Sequence, residues 1–277
     1  MKGSLLVQYQ TENSKLDEVL IQNAGGMGYV MRTREGKLIV LDGGNTNDGY
    51  RFLELLKELS GQEKPEVEIW FLSHPHGDHY GALKTITEEY LDQIHIKSNC
   101  CNFPPADLTD TTGHSYAAPA ALLKTMLAVT RAEFYEAKTG DGFDVDNIHI
   151  DVVTTWKDLA RVSDPNETSM ILMAYAEGQK ILFLADAYPA TAKNAIKNYG
   201  EKLQCDICQV AHHGINGCTE SLYKMTGARL YLLPTNQQTK DDMNGRYLPS
   251  TWVYKNAEKI LLMSEGTSYL KLPYSFD

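Results

Sequence analysis

The sequence predicts an α/β sandwich that folds as one domain over residues 1–277. Short apolar runs of strand length alternate with helical stretches, and they gather into two strand-rich halves. A chain of 277 residues with 43% hydrophobic side chains can also bury a large core. No repeat, low-complexity segment or Ser/Gly-rich linker divides it.

The elements follow in order. "GMGYVMRTREGKLIVLDGG" reads as a β-hairpin that turns at "REGK". "DGYRFLELLKELSG" has helical periodicity and a stop at Gly61. "EVEIWFLSH" has the unbroken apolar centre of a strand buried on both faces, and "GALKTITEEYLDQI" reads as an amphipathic helix. "NCCNFPPADLTDTTGHSY" reads as an irregular connection ahead of a helix at about 117–128, which makes residues 98–145 an expected insertion over part of a cleft. Strands resume in "IHIDVVTTW", "SMILMAYAEG", "KILFLADA", "CDICQVAHHG", "RLYLLPTN" and "KILLMSEG". Helices fit between several of them, notably "YPATAKNAIKNYG" and "STWVYKNAEK".

Composition narrows the class. The net charge is −10 and the sequence pI about 5.3, which disfavours a protein that coats nucleic acid. The opening residues carry no signal-peptide stretch, and no run of about 18 apolar residues follows, so a cytoplasmic protein without a membrane partner is expected. Five cysteines, an odd number, do not describe a disulfide scaffold. The single C-x-x-C at Cys205 and Cys208 lies in an apolar strand and reads as packing, while the adjacent Cys100 and Cys101 suit neither chelation nor a mutual disulfide.

Four of the apolar runs end in residues of one chemical kind. "KLIVLDGG" ends in Asp42, and "EIWFLSHPHGDH" in His74, His76, Asp78 and His79. "KILFLADA" ends in Asp186, and "CDICQVAHHG" in His212 and His213. Five of the eight histidines therefore lie just past strand ends, beside aspartates, at the edge where open α/β sheets bind ligands. In an extended segment His74 and His76 point the same way and can share one metal ion. A tight, irregular loop at Pro75 and Gly77 would then turn Asp78 and His79 toward a second ion. Asp186 has two oxygens with which to bridge the pair. Imidazole and carboxylate donors suit zinc, and they also accept manganese or iron. Two such ions about 3.5–4 Å apart hold a bridging hydroxide and clamp an oxyanion during hydrolysis.

His74-x-His76-x-Asp78-His79 after a buried strand, with "LDGG" before it and "LAD" and "HHG" after it, resembles the metallo-β-lactamase superfamily. The resemblance runs from about residue 26 to 214, and it implies a four-layer αβ/βα sandwich with a dinuclear metal site at the edge between the sheets. It implies His74, His76, Asp78, His79, Asp186 and His213 as metal ligands, His213 because the family's ligand histidine stands directly before glycine. Asp42 would brace the histidine loop through hydrogen bonds. Asp78, His212 and the bracing Asp42 are the catalytic residues so implied, with His212 facing a substrate oxygen or protonating the leaving group. "NETSMILMAY" ahead of "KILFLADA" is similar to the β-lactamase-like domain of bacterial DNA-uptake channel proteins and to choline-phosphate esterases that trim teichoic acid. The chain departs from the hydrolytic β-lactamases and glyoxalase II-type enzymes, which carry a further histidine shortly before the bridging aspartate. Asn166 and Ser169 stand in that region here, so the first ion would be held by His74, His76 and Asp186 plus water. His114, in "TGHSY", matches that missing motif only superficially, since it lies about 70 residues ahead of Asp186.

The function expected from these readings is metal-dependent hydrolysis, with a phosphodiester or other phosphoester as substrate. Hydrolysis of a thioester or lactone is the alternative enzyme, and a metal-containing binding or sensor protein the alternative outside catalysis. Seven potential donors survive together, which speaks against a decayed site. His95 and His149 lie inside strand-like stretches and read as structural, while Tyr80 and Tyr188 flank the motifs.

Overall fold

The structure, a computed structural model, describes residues 3–12, 25–105, 113, 117–244, 246 and 248–276. His114 lies outside the described residues. The chain opens with β1 (Leu5–Gln8) and the hairpin β2 (Gly28–Arg32) and β3 (Leu38–Asp42), then α1 (Gly49–Ser60). Next come β4 (Glu66–Leu72), α2 (Gly77–Glu89), β5 (His95–Ile96), β6 (Ser98–Cys101), α3 (Ala117–Thr130) and β7 (Glu133–Glu136). The second half holds β8 (Gly142–Val145), β9 (Ile148–Thr154), β10 (Ile171–Ala176), β11 (Gln179–Phe183), α4 (Pro189–Tyr199), β12 (Ile207–Gln209) and α5 (Glu220–Thr226). It closes with β13 (Leu230–Leu233), α6 (Gln237–Asn244), α7 (Pro249–Asn256), β14 (Lys259–Leu262) and β15 (Ser268–Lys271).

Two mixed sheets result. One runs β15-β1-β2-β3-β4-β6-β7, with β5 beside β4, and the other β14-β13-β12-β11-β10-β9-β8. β3, β4, β6 and β7 are mutually parallel, as are β11 to β14. Period-2 alternation sorts each strand's side chains into two layers. Ile69 and Phe71 of β4 enter the core between the sheets with Tyr29, Ile150, Leu172 and Phe183. Val67, Trp70 and Leu72 face the other way, against Phe52, Leu56, Ala82 and Ile86 of α1 and α2. The second sheet repeats the pattern: Ile171, Met173 and Leu182 pack against Ala192, Ala195, Leu222 and Val253 of α4, α5 and α7. The layers are therefore αβ/βα, as the sequence predicts. Among the described residues no helix is long and apolar enough to cross a membrane.

Two expectations differ from what is seen. The expected irregular connection opens on a strand instead: within 98–145, β6 and β7 extend the first sheet in parallel, and β8 forms the edge of the second. Only the stretch from Asn102 to Ala132, which contains α3, lies between those strands. On β6, Cys100 and Cys101 point to opposite faces, Cys100 into the intersheet core and Cys101 into the helix-side core, which accounts for two adjacent thiols. All five cysteines are free. The second difference concerns the Pro75–Gly77 turn. His76 is extended (φ −102°, ψ 143°) and caps α2, so Asp78 and His79 stand on the first helical turn instead of on an irregular loop.

Candidate metal centre

The carboxyl ends of β3, β4, β11 and β12 meet at one edge of the sandwich. Asp42 closes β3 in the left-handed region (φ 56°), and its carboxylate accepts from Ser73 N at 2.8 Å and from Ser73 Oγ at 2.7 Å. It also takes His79 Nδ1–H at 2.8 Å, which fixes the tautomer and leaves His79 Nε2 aimed into the centre. Trp70 Nε1 donates to the Asp42 carbonyl at 2.9 Å, so the same residue is held by backbone and side chain. Ser73 Oγ, having given its proton to Asp42, faces His74 Nδ1 at 3.1 Å. Gly26 closes against this loop: a Cβ there would stand 2.7 Å from the Asp78 carbonyl oxygen and from Gly44 Cα.

The opposite sheet brings the rest. Asp186 follows β11, and Ser169 Oγ accepts from its backbone N–H at 3.2 Å. Gln209, fully buried on β12, accepts from Leu184 N at 2.7 Å and Ala185 N at 2.6 Å, and its amide nitrogen donates back to the Ala185 carbonyl. His213 gives its Nδ1–H to the Pro234 carbonyl at 2.8 Å, which points Nε2 inward. Among the described residues, four of the seven non-glycine residues with positive φ lie here: Asp42, Ala185, His212 and His213. Such backbone costs about 1–3 kcal/mol per residue and persists only where its surroundings enforce it.

Two donor groups converge on Asp186. One is Asp78, His79, Asp186 and His213, and the other is His74, His76 and Asp186, each with donor atoms within 4.8 Å of one another. His79 Nε2 lies 3.4 Å from Asp186 Oδ2, and His213 Nε2 lies 3.2 Å from Asp78 Oδ2 and 3.7 Å from Asp186 Oδ2. His74 Nε2 is 3.7 Å from the same Asp186 oxygen. His212 also reaches it, at 3.8 Å, yet only His213 joins the four-donor group; His212 Nδ1 is turned to the Asn216 carbonyl, and its ring lies tilted beside Tyr188 with centroids 5.3 Å apart. The structure thus gathers all the residues expected from the sequence, with Asp42 behind the donors and His212 at their rim.

The electrostatics fit cations. Burial would raise the carboxyls of Asp78 and Asp186, but the surrounding imidazoles, His79 foremost, outweigh it and hold both below the ordinary carboxylate range. Burial, helped by His79 and His76, holds His74 well below its usual value, so it presents the neutral ring that binds metal. Burial opposes charge on His79 and His213 as well, yet the facing carboxylates, Asp186 first, push both upward. The strongest sign is geometric. His74 Nε2, His79 Nε2, His213 Nε2 and Asp186 Oδ1 are all buried without a hydrogen-bond partner. Each such group costs about 1–3 kcal/mol if left unpaired, and divalent ions between them would satisfy all four.

Sequence reasoning missed Ser73, Gln209 and the Pro234 carbonyl. Ser73 had a signal in its place, directly between the buried strand and His74; Gln209 had one as the lone amide in an apolar strand. Asn166, in the region where a histidine is absent, is buried with its Oδ1 unpartnered, and its Nδ2 donates to Asp164 at 2.9 Å.

A sequence model of the metallo-beta-lactamase superfamily matches residues 25–220. Among curated proteins none matches the chain. Solved structures do. The metallo-beta-lactamase fold protein YhfI from Bacillus subtilis is 11% identical with a TM-score of 0.55, over 96% of this chain and 99% of that one. Zn(2+)-bound PqqB from Methylobacterium extorquens is 10% identical with a TM-score of 0.57, over 97% and 100%. A diphosphatase from the PhnP family is 12% identical with a TM-score of 0.54, over 99% and 100%. At these identities the likeness establishes the fold.

Proposed function

Since this chain belongs to the metallo-beta-lactamase superfamily, we propose that it is a metal-dependent hydrolase of phosphoesters, with a phosphodiester as the preferred substrate. One observation carries the reading: two donor groups share Asp186, and one of them brings together three donors among the described residues. His74, His76, Asp78, His79, Asp186 and His213 would hold divalent ions, zinc first among those the donors suit, which when bound would make water nucleophilic at neutral pH and offset charge on a phosphoryl oxygen. The shortage of donors on the His74 and His76 side leaves room for a substrate oxygen. The relative that is a diphosphatase supports this choice as an example of phosphoryl chemistry on the same fold.

The chain's own residues divide the remaining work. Asp42 and Ser73 fix the edges that His79 and His74 present. Gln209 and Ser169 fix the turn that carries Asp186. His212 is partly exposed, its Nδ1 is occupied by the Asn216 carbonyl, and its Nε2 faces the mouth, where it can hold the proton that a departing alkoxide needs. Tyr188 lies beside that ring, with centroids 5.3 Å apart.

The test is a panel of chromogenic phosphodiester, phosphomonoester, thioester and lactone substrates, with added Zn2+ or Mn2+. Turnover of the phosphodiester, lost in Asp186→Asn and slowed in His212→Gln, is expected. Turnover confined to thioester or lactone overturns the substrate class. No turnover at full metal occupancy overturns the enzyme.

A further inference from the structure

The edge of the second sheet carries a histidine whose two nitrogens each face a carboxylate. β8 is that edge, and in its antiparallel register with β9 Asp144 stands opposite His149 and Gly142 opposite Asp151. His149 and Asp151 are two residues apart on β9 and share a face. His149 Nδ1 lies 2.6 Å from Asp144 Oδ1, across to the edge strand, and Nε2 lies 2.9 Å from Asp151 Oδ1 on its own strand. The ring sits over Gly142, where a Cβ would come within 2.9 Å of His149 Cε1. A neutral imidazole has one N–H and one lone pair, so only the imidazolium donates to carboxylates at both nitrogens.

The neighbouring elements add to this set. Tyr175 on β10 faces the ring with centroids 5.8 Å apart, and its hydroxyl and that of Tyr199 on α4 hydrogen-bond Asp151. Lys180 on β11 lies over the Tyr175 ring at 5.7 Å. Asp146 and Glu177 line the same open cleft of about 370 Å3, with Glu177 paired to Arg34. Burial opposes charge on His149, but the bonds to Asp144 and Asp151 outweigh it and push the ring's pKa up. Burial would raise Asp151, yet the same ring and the two hydroxyls hold it below the ordinary carboxylate range.

We infer that His149 is a proton-operated clasp on the edge of the second sheet: protonated, it ties β8 to β9, and on losing its proton it releases Asp144 and lets β8 open. Asp151 keeps its two tyrosines, whereas Asp144 is 82% exposed, so the bond between the strands is the one given up. The proton leaves Nδ1 for water in the cleft. Because the ring titrates above the ordinary histidine value, the clasp is fully formed below about pH 6.5 and is lost as pH rises through the folded-state value. Opening uncovers Phe143 and Val145, which pack from β8 onto the core between the sheets, Phe143 against Phe71 at 5.4 Å.

Proton NMR of the full chain follows the His149 ring, its resonances assigned by their loss in His149→Gln. Hydrogen exchange reads the β8 and β9 amides from about pH 5 upward. The expected midpoint lies above about 6.5, and Asp144→Asn and Asp151→Asn each lower it. The freed ring returns to its ordinary value. Each pH unit by which the midpoint exceeds about 6.5 therefore gives a tenfold rise in opened β8 between the acid and alkaline ends, after correction for intrinsic exchange. In His149→Gln the corrected protection of β8 should no longer depend on pH, with a thermal melt reporting that the variant is folded. Asp144→Asn, at an exposed position, tests the clasp even if His149→Gln does not fold. A midpoint at or below about 6.5, or one unmoved in Asp144→Asn, would overturn the inference. So would β8 protection that falls with pH in His149→Gln as it does in the unmodified chain.

Discussion

Ser73 donates its backbone N–H and its hydroxyl to Asp42, faces the Nδ1 atoms of His74 and His79 at 3.1 and 3.3 Å, and accepts Met170 N–H on its carbonyl at 2.9 Å. One small side chain thus joins the bracing carboxylate to two donor imidazoles and to the opposite sheet. None of this is visible in "FLSHPHGDH", where the donors announce themselves through chemistry that few other residues share, while a serine can do many things. The donors themselves were legible for that reason. Asp42 offers the sharper test. Asn tolerates its left-handed backbone and keeps its shape, so Asp42→Asn removes the charge behind His79 and turns one of the two accepting oxygens into a donor amide. Zn2+ affinity, measured by competition with a chromogenic chelator, should fall about 10–100-fold. Unchanged affinity would remove Asp42 from the support of His79.

Gln209 acts at the level of the element, because its side chain stands in for a strand: it pairs with the backbone of residues 184 and 185 where β11 ends and the turn to Asp186 begins. Gln209→Ala leaves two buried N–H groups without acceptors, at about 1–3 kcal/mol each. A urea denaturation of the metal-free protein should lose about 2–5 kcal/mol, and a loss below about 0.5 kcal/mol would mean that the turn is held by other contacts. Elements with strong apolar patterning were read correctly from the sequence, including the hairpin, α1 with its left-handed cap at Gly61, β4 and strands β9 to β14 of the second sheet. Those with weak patterning were not. β6 is "SNCC", short and half polar, and becomes a strand because Ser98 Oγ bonds the Glu68 carbonyl and both cysteines are buried. β7 is "EFYE", exposed along its length at the edge of the sheet, where little hydrophobic signal is required. α2 begins four residues earlier than its apolar stripe: its first turn closes by backbone bonds from His79 and Tyr80 to the His76 carbonyl and places Asp78 at the positive end of the helix dipole.

At the scale of the whole molecule, the centre lies on the seam between the sheets. His74, His76, Asp78 and His79 belong to the first sheet's segments, while Asp186 and His213 belong to the second's. Bound ions would therefore cross-link two halves that otherwise meet through the apolar core and contacts such as Met170 N to the Ser73 carbonyl. At a free metal concentration 100 times the dissociation constant, that linkage contributes about 2.7 kcal/mol. The melting temperature of the metal-loaded protein should exceed that of the chelator-treated protein by about 5–10 °C. Equal melting temperatures would mean that no ion spans the seam. The layered architecture was legible because alternation and helical periodicity are properties of whole segments. The seam was legible only through the order of its motifs, since no single segment records which partner it will face.

The seam has a further consequence for variation. Because Asp186 and His213 stand on one sheet while His74, His76, Asp78 and His79 stand on the other, sliding the sheets past each other would misalign the whole cluster at once. Loops around the rim can lengthen or shorten without moving it. Altered selectivity is thus to be sought at the rim, whereas bulk added or removed at Phe183 or Tyr29, between the sheets and beside Asp42 and Ala185, would be felt where the donors gather.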